Sequence, residues 1–357
     1  MGGLAAAVMA AWWLALLHRF GACAPPSHNC GVPSLTDPWM LGQLRVPNRV
    51  LLAPLAGIGN WFVRLQAKRY GAGLAVSEMI SSFAIHYGNA KTLNELLVIH
   101  PDEGPVSMQL FGQDPEIMRS AAARVAEVGA DILDLNMGCP VPKVTKTGAG
   151  AALLKDPDTA VAVAKAAREG SGLPVTVKLR AAMKPGGVEG LALAQRLVDE
   201  AGVAGITFHP RSAAVRHKGT PDYDLAAQLV QELPVPVIVS GGMEGAEHIR
   251  WVFEHTGCAA VMLARGALGN PWLFEQVLDA RSADPEPEEV LAEWVWVIDR
   301  AEEHLGTERA ARYLKKFHPW YIERLGAPRP VQDALQRAET LDDQRSVLDS
   351  LSPLQPA

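Results

Sequence analysis

Ile132-Leu133-Asp134-Leu135-Asn136-Met137-Gly138-Cys139-Pro140-Val141-Pro142-Lys143 is the stretch on which the reading of this chain turns. The apolar run Ile132 to Leu135 predicts a short buried strand that ends abruptly in an amide, a glycine turn, a thiol and a proline. A strand that stops in this way delivers side chains into a site. Asn136 can donate and accept hydrogen bonds to a planar heterocycle. Cys139 follows three residues later, beyond a turn able to aim its sulfur at the same object. Taken alone, the cysteine reads more readily as a small buried core residue.

Outward from this segment the same unit recurs from residue 48 to about 280: an apolar strand, a polar or glycine-bearing turn, then a helix-compatible segment. Strands are predicted at Val50–Ala53, Leu74–Ser77, Val106–Gln109, Ile132–Leu135, Val175–Lys178, Gly205–Phe208, Val237–Val239 and Ala260–Leu263. Alanine-rich stretches between them, such as Ile117–Val128, Thr159–Ala167 and Leu191–Ala201, carry helical spacing. Eight buried strands alternating with helices predict an α/β fold with a parallel sheet, and eight is the number that closes a (β/α)8 TIM barrel. A doubly wound open sheet is the alternative, but no glycine-rich dinucleotide turn follows the first strand.

Barrels of this kind place their active sites at the carboxyl ends of the strands. Standing there are Pro54, Glu78, Gln109, Asn136, Lys178, His209, Ser240 and Arg265, all polar or charged except the first. One such residue could be a loop residue or a cap; a ring of them predicts a functional mouth. Ser240-Gly241-Gly242 and Ala264-Arg265-Gly266 follow the seventh and eighth strands, where barrels often bind phosphate through backbone amides. Glycine permits close backbone approach there, and Arg265 adds a planar cationic fork. Asn270-Pro271-Trp272 reads as a helix start, with Asn270 as N-cap and proline in the first helical position.

Pro285 and Pro287 mark a linker, after which 288–305, 309–324 and 331–351 read as helices of a small C-terminal helical domain. Arg309, Arg312, Lys315, Lys316 and His318 fall close together on the second helix, followed by Trp320 and Tyr321. The plain reading is a solvated charged face; the alternative is a grip on an RNA backbone, with bases or sugars packed on the rings. The expected division is therefore a barrel over 36–280 and a helical, RNA-binding domain over 281–357. Residues 1–35 are expected to be an appendage outside the fold. Their apolar run, Leu4 to Leu17, is short for a membrane span and lacks a preceding positive charge, which leaves a signal peptide or anchor as the alternative.

With 357 residues, 48% of them hydrophobic and 20% charged, the chain can bury a full-sized globular core. Cys23, Cys30, Cys139 and Cys258 form neither a metal-ligand spacing nor a disulfide framework, which predicts a reducing, cytoplasmic setting and no metal. A net charge of -6 excludes a bulk basic field, so RNA binding needs a local basic face.

Together these segments resemble the tRNA-dihydrouridine synthases, closely over residues 48 to about 275 and more loosely over the helical tail. The carriers are Leu52-Ala53-Pro54-Leu55-Ala56-Gly57, Ser77-Glu78-Met79, Gln109-Leu110-Phe111-Gly112, Asp134 through Lys143 with Gly148-Ala149-Gly150, Lys178-Leu179-Arg180, His209-Pro210-Arg211, and Arg265 through Trp272. The Asn-Met-Gly-Cys-Pro segment is highly specific; the others are shared in part with other flavin barrels.

The resemblance implies an FMN-bound barrel that reduces a uridine of tRNA to 5,6-dihydrouridine, with NADPH as the electron source. It is expected to act as a monomer on its tRNA substrate, without metal or membrane. Carried over by position, Pro54, Leu55 and Ala56 would line the isoalloxazine ring and Gln109 would hydrogen-bond its polar edge. Lys178 would neutralise charge developing on the reduced flavin, and His209 would sit between flavin and phosphate. Ser240, Gly241, Gly242, Ala264 and Arg265 would hold the phosphate. Asn136 would touch flavin and uracil, and Cys139 would be the proton donor.

The chemistry needs these residue types. Hydride addition at carbon 6 of uracil leaves negative charge at carbon 5 and its carbonyl, so a proton must arrive from the opposite face. A thiol is mostly protonated at neutral pH and can give that proton to an enolate. The base must leave its stack, which suits a groove beside a barrel mouth. Lys143, Lys146, Lys184, Arg211, Arg216 and Lys218 fall in the loops after the fourth, fifth and sixth strands, a local positive bias hidden by the net charge. The chain departs from the family pattern at Leu55, where methionine is usual, at Ser240-Gly241-Gly242, where Asn-Gly-Asp is usual, and at Pro210, where glycine is usual. Two rivals are a small-molecule flavin oxidoreductase of the dihydroorotate dehydrogenase or old-yellow type, and an RNA-binding protein that has lost catalysis.

Overall fold

The structure is a computed structural model and describes residues 33–351. The predicted appendage, with its apolar run, Cys23 and Cys30, falls almost wholly outside the described residues. A hairpin of β1 (Trp39–Leu41) and β2 (Leu44–Val46) comes first. Eight strands follow: β3 (Val50–Leu52), β4 (Leu74–Ser81), β5 (Val106–Phe111), β6 (Ile132–Met137), β7 (Val175–Arg180), β8 (Gly205–His209), β9 (Val237–Ser240) and β10 (Ala260–Leu263). Each pairs in parallel with the next, and β10 pairs with β3, so the sheet closes into the barrel that the eightfold pattern predicts.

Side chains alternate between two cores, as strand geometry requires. On β6, Leu133, Leu135 and Met137 face outward into the layer shared with the helices, while Ile132 faces inward with Leu51, Leu74, Ile238 and Met262. The hairpin adds Trp39, Leu41 and Val46 to the inner cluster. Its turn glycine, Gly42, is closely approached by Pro174 at the entry to β7, so the hairpin closes the amino-terminal end of the barrel. Nothing in the eightfold pattern predicts this hairpin.

Several strands run further than the apolar runs suggest. Asn136, His209 and Ser240 lie within β6, β8 and β9 rather than just after them, and β5 and β7 continue past their predicted ends at Gln109 and Lys178 to Phe111 and Arg180. The cause is the alternation: inward positions turn polar towards the mouth, while outward neighbours such as Leu110, Met137 and Leu179 stay in the apolar layer and keep the strand going. β4 also continues to Ser81, with a register shift against β5 between Val76 and Met79. A shift of this kind re-aims side chains, and here it falls on Ser77 and Glu78.

The helical segment has five helices rather than three: Pro287–Leu305, Thr307–Leu314, His318–Leu325, Arg329–Arg337 and Leu341–Asp349. The predicted second helix is interrupted at 315–317, with Pro319 in the first turn of its successor. The predicted third is divided by Thr340, which forms a capping box with Asp343. Asn270 is not an N-cap: Pro271 holds that position before the helix Trp272–Val277, and the Asn270 amide donates back to Gly266.

This segment packs on the helix Trp61–Arg69 and continues the barrel's outer core through Phe62, Trp294, Phe317 and Tyr321. Buried Glu293 accepts hydrogen bonds from Gln66 at 2.8 Å and Tyr70 at 2.7 Å, and pairs with Arg69 at 3.2 Å. Among the described residues no helix is long and apolar enough to cross a membrane.

Candidate active site

A cavity of about 610 Å³ opens at the carboxyl ends of the barrel strands, a size usual for cofactor sites. The structure brings Pro54, Leu55, Ala56, Gln109, Asn136, Cys139, Lys178, His209, Ser240, Gly241, Gly242, Ala264 and Arg265 to its lining. Glu78, the remaining member of the predicted ring, is not part of that lining: its carboxylate accepts from the Gly57 N–H at 2.7 Å. It adds Ile58, Met79, Arg180, Arg211, His217 and Met243, which the strand-end reading passes over. Met79 owes its place to the shifted register of β4. Arg180 stands two residues beyond Lys178 on the same strand, and that period of two is the signal that could have found it; Arg211, read from the sequence as a loop cation, follows the end of β8.

On the β5 to β7 side a hydrogen-bonded network joins Asp134, Gln109, Asn136 and the loop of Cys139. Asp134, buried inside β6, accepts from Thr176 Oγ1 at 2.5 Å and from Gln109 Nε2 at 2.6 Å. Gln109 Oε1 in turn accepts from Asn136 Nδ2 at 2.9 Å. Asn136 Oδ1 accepts from the backbone N–H of Cys139 at 2.9 Å and of Gly138 at 3.3 Å. Arg180 Nε donates to the Gly138 carbonyl at 2.9 Å, and the Ala151 N–H donates to the Cys139 carbonyl at 3.0 Å. The thiol of Cys139, half-buried and free, is thus carried by a loop held from β6, from β7 and from its own far end.

Burial dominates the electrostatics. It raises Asp134 to about 6, against the lowering effect of its two donors. It lowers Lys178 to about 8, helped by the neighbouring Arg180 cation. His209 is pushed far down by burial and by Lys178, Arg180 and Arg211, so its ring is neutral. Neutral His209 places Nε2 3.3 Å from Arg211 Nη1, and since the guanidinium can only donate, Nε2 is the acceptor.

On the β8 to β10 side the backbone forms a cradle. Gly241 and Gly242 have φ of 101° and 74°, conformations that favour glycine. A Cβ on Gly241 would lie 2.4 Å from the His209 ring, and one on Gly242 2.5 Å from the Tyr223 hydroxyl. Tyr223 donates to the Gly241 carbonyl at 2.9 Å, which turns that loop's carbonyl away as an acceptor. Among the described residues no acceptor takes the N–H of Gly241 or Gly242. Exposed Arg265 flanks them, 3.9 Å from Glu244. Two free amides, a cation and a concavity that any Cβ would fill suit a phosphate. Across the cavity Ala53, Pro54, Leu55, Ile58 and Met79 give an apolar wall suited to a flat ring system. The residues present therefore fit FMN.

Around the rim Lys143, Lys146, Lys184, Arg216 and Lys218 are exposed. Arg211 is not free in the same way: it is buried and donates twice to the Gly219 carbonyl, at 2.6 and 3.1 Å. The basic and aromatic cluster read on the C-terminal helix is only partly a surface. His318 and Tyr321 are core residues, Arg309 pairs with Glu95, and Lys316 Nζ donates to Gly57 on the mouth loop.

Fold and site together define a β/α-barrel enzyme with a glycine-lined cradle suited to a phosphate after its last strands. Solved structures of this architecture include morphinone reductase in complex with tetrahydroNAD, with a TM-score of 0.52, 20% identity, and 72% of this chain and 94% of that chain covered. The old yellow enzyme homologue from Zymomonas mobilis gives a TM-score of 0.54 at 15% identity, over 72% of this chain and 96% of that one. A family model for dihydrouridine synthase (Dus) matches residues 51–355, and the chain belongs to that family. It is 33% identical over 315 residues to tRNA-dihydrouridine synthase B of Vibrio cholerae, covering 87% of this chain and 97% of the relative. The enzyme of the same name from Pseudomonas aeruginosa is 34% identical over 316 residues, with 85% and 92% covered. A probable tRNA-dihydrouridine synthase of Mycobacterium tuberculosis is 34% identical over 333 residues, with 88% and 85% covered.

Proposed function

We propose that the chain reduces a uridine of tRNA to 5,6-dihydrouridine, using FMN held in the mouth cavity and NADPH as the reductant. The observation that carries this reading is the meeting of Cys139, Asn136 and Lys178 with the Gly241-Gly242 cradle in one cavity, in a chain of this family. When bound, FMN supplies the hydride that adds to carbon 6 of the uracil.

The protein's own residues do the rest. Gly241 and Gly242 offer their amides, and Arg265 its guanidinium, to the phosphate, with Ser240 and Ala264 shaping the cradle. Pro54, Leu55 and Ala56 cover the ring, and Gln109 meets its polar edge. Lys178 supplies positive charge beside the ring, and neutral His209 fills the space between ring and phosphate without adding a further cation. Cys139 donates its thiol proton to carbon 5 of the uracil, and Asn136 holds the loop that presents it while facing flavin and base. The exposed lysines of the rim attract the tRNA backbone, and unstacking of one nucleotide brings its base to the cavity. That rim favours tRNA over a small-molecule substrate, which needs no such charge. Mapping dihydrouridine in tRNA from cells lacking the protein tests the proposal: one or more uridines should lose the modification, and an unchanged map contradicts it.

A further inference from the structure

Asp134 lies beneath the cavity rather than in its lining, yet it begins the network that ends at Cys139. We propose that Asp134 is a positioning residue whose buried carboxylate is the charged acceptor that anchors the hydrogen-bond chain Asp134, Gln109, Asn136, Cys139, and so holds Gln109 and Asn136 in place beneath the Cys139 loop. The inference rests on the reading of the site given above, and concerns how its proton donor is held.

The argument is one of donors and acceptors. An ionised carboxylate can only accept. Gln109 must therefore turn its NH2 to Asp134 Oδ2, at 2.6 Å, which leaves Oε1 as the only atom it can offer Asn136. Asn136 must then turn its NH2 to Gln109, at 2.9 Å, leaving Oδ1 to receive the N–H groups of Gly138 and Cys139. Reversing either amide would set an NH2 against another donor. The backbone N–H groups of Gly138 and Cys139 can only donate, so both ends of the chain require the same direction; what the carboxylate adds is a charged acceptor at its base, and without it the loop carrying Cys139 is held by weaker, neutral hydrogen bonds alone.

The surroundings keep Asp134 in this role. Thr176 Oγ1 donates to Oδ1 at 2.5 Å, so each carboxylate oxygen has a donor. The charged group acting on it is Lys178, from β7, which favours the ionised form. Enclosure of a carboxylate in a barrel interior is costly, and a hydrophobic residue would fill the space more cheaply. An anchoring role accounts for what packing does not.

Asp134→Asn tests this, because an amide keeps the shape and removes the charge that strengthens the anchoring hydrogen bonds. The first readout is the alkylation rate of Cys139 by iodoacetamide, followed by mass spectrometry of its peptide, which needs neither FMN nor tRNA. We expect the rate to rise several-fold, and turnover on tRNA to fall roughly ten- to a hundredfold, the scale of a lost charge-assisted hydrogen bond. In Asp134→Asn with Gln109→Glu the carboxylate moves one link along: the amide introduced at position 134 can donate to it, and Asn136 still must. The double variant should recover the wild-type alkylation rate. Wild-type alkylation and turnover in Asp134→Asn, or no recovery in the double variant, would overturn the proposal. If the single variant does not fold, Thr176→Val removes one donor to Asp134 and should move the acid limb of the turnover profile to higher pH; an unmoved limb counts against the proposal. Wild-type protein that bound no FMN would sink the functional reading instead and leave the alkylation result to judge the chain.

Discussion

Arg180 Nε lies 2.9 Å from the carbonyl oxygen of Gly138, so the strand that carries Lys178 also holds the loop that carries Cys139. The same guanidinium donates to the carbonyls of Ser212 at 3.2 Å and Arg216 at 2.9 Å, in the loop after β8. One buried cation thus ties together the two loops that flank β7 at the mouth. Arg180→Met should leave three carbonyls without their donor, at a cost of about 1–3 kcal/mol each where they stay buried. Urea melts should show the lost stability, and turnover should fall further than stability alone explains. A variant with wild-type turnover would remove Arg180 from the account.

Gly241 couples the cradle to His209. Gly241→Ala sets a Cβ 2.4 Å from the imidazole in a left-handed conformation, whereas Gly245→Ala, at φ 79°, meets nothing within 4 Å. Both should lose about 1 kcal/mol or more to backbone strain. Only the first should release FMN, measured as flavin per protein after gel filtration. Equal flavin content in the two variants would contradict the cradle.

Lys178 gives a pH dependence with a definite sign. Burial depresses its value to about 8, so the cation is present below that pH and lost as pH rises through it. FMN titrated into flavin-free protein should bind more weakly above pH about 8, and Lys178→Met should abolish that step. A pH-independent affinity in the native chain would mean that the lysine does not face the cofactor.

Glu293 anchors the helical segment to the barrel through Gln66, Tyr70 and Arg69. Glu293→Ala removes the acceptor of the Tyr70 hydroxyl and one of the two acceptors of the buried Gln66 amide, which keeps Tyr321, and should cost about 2–4 kcal/mol, read from denaturant unfolding. A change within experimental scatter would show that apolar packing of Trp294 and Phe317 alone holds the interface.

The barrel and most of its mouth were legible because each depends on local pattern. Apolar runs such as Ile132 to Leu135 mark strands wherever both faces are buried, and a polar residue at the end of each run marks the rim. What escaped depends on direction rather than composition. Asp134 sits inside an apolar run and reads as an interruption, although inward alternation makes it the base of the Cys139 network. Met79 reaches the cavity through a register shift that no periodicity carries. The charge run Arg309 to His318 reads as one surface, but the break at 315–317 turns His318 into the core beside Trp294. The hairpin from Trp39 to Val46 is too short for its alternation to stand out.

The account turns on Cys139 as the proton donor to a uridine of tRNA. Its most direct test incubates FMN-loaded protein with unmodified tRNA transcript and NADPH, and measures the dihydrouridine formed by the native chain and by Cys139→Ala. The native chain should form dihydrouridine, and the variant should keep its flavin and its tRNA affinity while turning over roughly a hundredfold more slowly. No dihydrouridine from the native chain, or undiminished turnover in the variant, would contradict it.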